Sequence, residues 1–84
     1  MKRYLVTVMR TPDFDAGLLD AHRRFLDDLR ARGRLDLAGP FTDQSGGAYV
    51  LRADHPEQAQ AIAHDDPLHV AGASTVRVHE WSAG

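Results

Sequence analysis

The segment Arg3 to Met9 alternates two apolar sets, with Tyr4, Val6 and Val8 pointing one way and Leu5, Thr7 and Met9 the other. A strand that is apolar on both sides reads as a central strand, so each face of the sheet that contains it needs a cover. The chain has 84 residues and no cysteine. That length predicts one domain spanning residues 1–84, burying only about 60 to 65% of the surface its unfolded chain exposes. Without cysteine there are no disulfides, thiolate metal sites or thiol nucleophiles, so packing must supply the stability, assisted by a partner subunit.

From Asp15 to Arg32 the apolar positions recur with helical spacing at Leu18, His22, Phe25 and Leu29. Asp15 reads as the N-cap and Gly33 as the C-terminal stop, with Arg30 and Arg32 at the negative end of the dipole. Arg34 to Pro40 predicts a second strand, and its Gly39-Pro40 end suits an edge strand or a bulge. The polar run Thr42 to Gly47 reads as a hairpin loop that returns through a third strand, Ala48 to Arg52. Asp54 and Glu57 form a capping-box pattern around Pro56, opening a second helix that Pro67 stops. Gly72 precedes a last strand, Thr75 to Trp81.

The order is β-α-β-β-α-β, the ferredoxin-like plan of the α+β class, an antiparallel sheet with both helices on one face. The other face is left bare. Because Tyr4 to Met9 is apolar on both sides, that face is expected to pack against a second copy as a two-fold homodimer. The alternative is a monomer whose outer sheet face is polar.

His22 lies in the seam of the first helix that faces the core, where a polar ring needs a partner. Burying a hydrogen-bonding group without one costs on the order of 1 to 3 kcal/mol. Asp66, in the turn Asp65-Asp66-Pro67, is the best candidate acceptor, and a backbone carbonyl is the other reading. Asp66 has a structural role open to it as well, as N-cap of a short helical turn over Pro67 to Val70, with one oxygen capping and the other facing the ring. Asp65 is its rival for the ring, placed at the solvent-facing end of the second helix. An imidazole with the ordinary pKa of about 6.5 exchanges protons near neutrality, and a carboxylate on its far nitrogen fixes the tautomer.

The block Ala21-His22-Arg23-Arg24-Phe25-Leu26, then Gly33-Arg34-Leu35, Ala38-Gly39-Pro40, and Asp66-Pro67 with Gly72 after it, resembles the YCII-related (YciI-like) family over nearly the whole chain. The resemblance implies a ferredoxin-like fold paired into a dimeric α/β barrel, with a His–Asp site at His22 and Asp66. It also implies cofactor-free proton transfer on small hydroxylated aromatic compounds, including elimination of halide. The residue after Asp66-Pro67 is often aromatic in that family; here it is Leu68, followed by His69.

The remaining candidates each have a plainer role. Gly39 and Pro40 suit close approach of a ligand to backbone, or simply the end of an edge strand. Tyr4 and Tyr49 offer a phenolic donor and Ser74 a hydroxyl, or else sheet packing and a strand-end hydrogen bond. Phe41 and Trp81 are pocket walls or core and dimer contacts. His64 and His69 stand five apart with a proline between them, which is not metal-ligand spacing on a helix, so no metal is expected.

A net charge of −2 gives no basic field for nucleic acid or anionic lipid. Met1-Lys2-Arg3-Tyr4 runs straight into a strand, with neither a signal-peptide core nor the roughly 20 apolar residues of a membrane helix, so no membrane partner and a cytoplasmic location are expected. With no nucleotide loop, electron carrier or covalent nucleophile, the expected function is cofactor-free lyase or isomerase chemistry on a small molecule, with His22 and Asp66 catalytic and Tyr4, Gly39, Pro40 and Ser74 binding substrate. The alternative is a non-catalytic dimeric module that binds a small ligand or a protein. A catalytic pair in a solvated cleft would tolerate His22→Ala with under about 1 kcal/mol of stability lost, and turnover would fall about 10²- to 10⁴-fold.

Overall fold

The computed structural model describes residues 1–84. Its sheet has four strands, β1 (Lys2–Arg10), β2 (Leu35–Pro40), β3 (Gly46–Ala53) and β4 (Ser74–Glu80), in the order β2-β3-β1-β4 with every neighbour antiparallel. Three helices, α1 (Leu19–Ala31), α2 (Pro56–Ala63) and α3 (Pro67–Val70), lie against one face. This is the ferredoxin-like α+β arrangement, and β1 is central in it as its two apolar faces require.

Register sorts the side chains. Tyr4, Val6 and Val8 of β1 stand beside Leu51 and Tyr49 of β3 and Val78 and Val76 of β4, and all of these face the helices. Leu29 of α1, Ala59 and Ala63 of α2 and Leu68 of α3 close the core over them. The opposite face carries Leu5, Val50, Ala48, Leu37 and, beyond β4, Trp81. Leu37 is 69% exposed and Trp81 45%, so this face has an uncovered apolar half; Thr75, Arg77 and His79 make its other half polar.

α1 ends as its sequence requires. Gly33 takes φ +73°, its N–H donates to the Arg30 carbonyl and that of Arg34 donates to Leu29, the paired bonds of a Schellman motif. β2 is the edge strand expected from Gly39-Pro40, and a register shift between Leu35 and Leu37 bulges it at Asp36, whose carboxylate accepts from Arg52 Nε at 2.7 Å.

Three local expectations shift. Asp15 caps a 3₁₀ turn, Ala16–Leu18, that precedes α1. Gly46 and Gly47 belong to β3 rather than to the loop. A Cβ on Gly46 would sit 2.1 Å from the Val8 carbonyl oxygen and one on Gly47 2.7 Å from that of Gly39, so only glycine lets these backbones pair. At α2 the N-cap is His55, because Pro56 at the first helical position keeps the preceding residue extended. His55 Nδ1 accepts from the Gln58 N–H, and the Gln58 side chain accepts in return from the Asp54 N–H at 2.7 Å. No helix is long and apolar enough to cross a membrane.

Candidate active site

Two helix ends bring the pair together. His22 sits on the inward stripe of α1 with Phe25, Leu26 and Leu29. Asp66 is placed by Pro67, which holds residue 66 out of helical geometry, at φ −56° and ψ 128°, and starts α3 immediately after it. The Asp66 carboxylate is wholly buried. Its Oδ1 accepts the Leu68 N–H at 3.0 Å, the N-cap bond of α3, while Oδ2 lies 2.8 Å and Oδ1 3.0 Å from His22 Nδ1. The acceptor of the ring is therefore Asp66 rather than a backbone carbonyl or Asp65, and the capping and pairing contacts coexist on one carboxylate.

An ionised carboxylate can only accept, so Nδ1 carries the hydrogen and Nε2 is left with its lone pair and no protein partner. The His22 side chain is 16% exposed, and what it exposes lines a cleft of about 560 Å³ between α1 and the end of the sheet. Val8, Phe14, Leu19, Leu26 and Leu68 give that cleft an apolar wall. Tyr49 and Ser74 also line it, and their hydroxyl oxygens are both buried without a hydrogen-bond partner. Burial, and secondarily the Asp66 charge, push the Tyr49 phenol well above the ordinary tyrosine range, so it stays a neutral donor.

Gly39, Pro40 and Ser74 line the cleft, and Asp66 stands behind His22. Tyr4 does not belong to this group. It shares the helix-covered face with Val8 but sits toward the other end of β1, with its hydroxyl 3.5 Å from Glu80 Oε1, where burial and that carboxylate raise its pKa. Phe41 and Trp81 are likewise outside the cleft wall, and Phe14 and Tyr49 supply its aromatic rings instead. The rings of His64 and His69 stack with centroids 4.3 Å apart and planes 12° from parallel, so their lone pairs run side by side rather than converging on an ion. No cluster of three or more His, Cys, Asp or Glu side chains is placed to hold a metal.

Arg10 and Phe14 were not among the expected site residues. For Arg10 a signal existed, because it follows Val8 by two positions and so shares its face. Phe14 lies in the connection after β1, where no periodicity fixes a side chain's direction.

Comparison with known proteins matches residues 2–82 to the YCII-related domain. The uncharacterized protein YjpA of Bacillus subtilis (strain 168) is 46% identical over 81 residues, 96% of this chain and 95% of that protein. Among solved structures, 5-chloro-2-hydroxyhydroquinone dehydrochlorinase (TftG) from Burkholderia phenoliruptrix AC1100, in complex with 2,5-dihydroxybenzoquinone, superposes with a TM-score of 0.77. The match covers 98% of this chain and 95% of that one at 20% identity, which establishes a shared fold.

Proposed function

This chain belongs to the YCII-related domain family, and from that membership and the geometry of its cleft we propose that it is a cofactor-free enzyme moving protons on a small hydroxylated aromatic compound. The observation that carries this reading is His22 Nδ1 held at 2.8 Å by the buried Asp66 carboxylate, which leaves Nε2 free beside the cleft. Nε2 takes the proton of a ring hydroxyl, and the imidazolium that forms is stabilised by Asp66. Returned to a ring carbon, the proton gives the keto tautomer. Where that ring carbon bears a halogen, protonation makes it tetrahedral, and loss of halide together with the proton of a second ring hydroxyl gives a quinone, a lyase reaction whose net release is one hydrogen halide. The structurally similar dehydrochlorinase supports this class of chemistry by its fold and its hydroxylated ring ligand.

The enzyme is proposed to work as a homodimer. The apolar half-face of Leu5, Leu37, Val50 and Trp81 is the surface a second copy would cover. The competing reading, a non-catalytic module, draws on the same carboxylate, because Asp66 is wholly buried and caps α3. Turnover separates the two. Chloride release from 5-chloro-2-hydroxyhydroquinone is expected with the wild-type protein and should fall about 10²- to 10⁴-fold in His22→Asn. Release no faster than the uncatalysed background would favour the binding module, and catalysed release at the same rate by both proteins would remove His22 from the mechanism.

A further inference from the structure

One end of the cleft has features that proton transfer at His22 does not use. Arg10 on β1 and Ser74 on β4 are register partners, and both stand on the helix-covered face, in line with Val8 and Val76. Their side chains therefore meet the cleft together. The Arg10 guanidinium carbon lies over the Phe14 ring, 4.1 Å from its centroid, a contact that uses none of its N–H groups. It has no carboxylate partner. The two other arginines of the cleft are engaged within α1, Arg23 with Asp20 at 3.1 Å and Arg30 with Asp27 at 3.0 Å. Asp27, the one acidic residue in the lining, is thereby already committed. Ser74 is 5% exposed, and its Oγ has no partner.

A buried hydroxyl without a partner is costly, and on the register partner of an unpaired guanidinium it would be met by a ligand atom that accepts from both. Guanidinium offers only donors, so that atom is an acceptor, and its preferred form is an oxyanion. The cleft between this corner and His22 is walled by Val8, Leu19 and Leu26, which suits a flat apolar ring. We propose that Arg10 and Ser74 form an oxyanion subsite that holds the ionised carboxylate or phenolate of an aromatic substrate whose ring lies toward His22. The inference rests on the proposed function in taking the cleft as the substrate site, and it adds the charge of the substrate class.

Binding selectivity tests it independently of turnover. Titration calorimetry of the full chain compares 4-hydroxybenzoate with its neutral counterpart 4-hydroxybenzyl alcohol, both of which keep the ring and the hydroxyl. The wild-type protein is expected to bind the anion about tenfold more tightly. Arg10→Gln should bring the two within about twofold, since the exposed side chain can be lost without unfolding the protein. Ser74→Ala should lower the preference by several-fold. Arg77→Gln removes an equal charge from the opposite sheet face and should retain the full preference. Equal binding of the two probes by the wild-type protein overturns the subsite, as does a preference surviving in Arg10→Gln, an equal loss in Arg77→Gln, or no saturable binding of either probe. If the preference follows Arg10 while His22→Asn turns over normally, the proton-transfer reading fails and the subsite stands; the reverse pattern sinks the subsite alone.

Discussion

Replacing Asp66 with asparagine should reverse the tautomer of His22 while leaving most of the fold in place. The Leu68 N–H, 3.0 Å from Oδ1, selects the amide orientation, because it can be satisfied only by the carbonyl oxygen. The amide nitrogen then takes the place of Oδ2, the nearer of the two oxygens to His22 Nδ1 at 2.8 Å against 3.0 Å for Oδ1, and presents hydrogens to it. Nδ1 becomes the acceptor and Nε2 acquires the hydrogen, so the nitrogen beside the cleft can no longer receive a proton. A charge-assisted bond worth about 1.5–3 kcal/mol becomes a neutral one worth about 0.5–1.5, a net loss of about 1–2 kcal/mol. Asp66→Ala loses the cap as well, about 1 kcal/mol more, and leaves two buried donors unmet, for a total of about 2.5–4 kcal/mol. Urea unfolding measures both losses, and ¹⁵N–¹H correlation spectra of the imidazole report the tautomer without any substrate. Turnover of Asp66→Asn should fall about 10²- to 10⁴-fold. An Asp66→Ala variant as stable as wild type, or an Asp66→Asn variant that keeps its hydrogen on Nδ1, would refute this reasoning.

His22→Ala should cost about 3–5 kcal/mol in urea unfolding, because it leaves a buried carboxylate without its partner, whereas His22→Asn, whose amide can still donate to Asp66, should cost clearly less. Leu37→Asp places a charge in the middle of the exposed apolar half-face and should convert a dimer into a monomer by light scattering; a wild-type protein that is already monomeric would remove the proposed interface. Tyr49 is held protonated in the fold, while the unfolded chain ionises at about pH 10, so stability present below that pH is lost as pH rises through it. Tyr49→Phe should therefore lose less stability than wild type between about pH 9 and 11.5, and parallel unfolding profiles would contradict the assigned burial.

Much of this arrangement was readable from residue order because local chemistry and tertiary demand agree there. Alternation along β1, the helical spacing from Leu18 to Leu29, Gly33 as a stop and Asp66-Pro67 as a cap each specify a conformation within a few residues. The misplacements have the same kind of cause. Gly46 and Gly47 have loop composition, yet the strand needs them because the backbones of Val8 and Gly39 leave no room for a Cβ. Asp54 is the better capping residue than His55 by type, but Pro56 decides which position is the cap. Within the site, the parity that placed Val8 also placed Arg10, while the direction of Phe14 depended on a connection with no period. The expectation that His22→Ala would be silent for stability assumed a solvated pair. With Asp66 wholly buried, a large stability loss is expected of a catalytic pair and of a purely structural one alike, so stability does not separate enzyme from binding module.

Proton transfer at His22 can be watched without net turnover by following deuterium from D₂O into the ring positions of hydroxyhydroquinone by NMR. Exchange catalysed by the wild-type protein and reduced about 10²- to 10⁴-fold in the folded His22→Asn variant is the expected result. Exchange at equal rates in the two proteins, or none above the uncatalysed background in either, would contradict a proton-transfer role for His22 and Asp66.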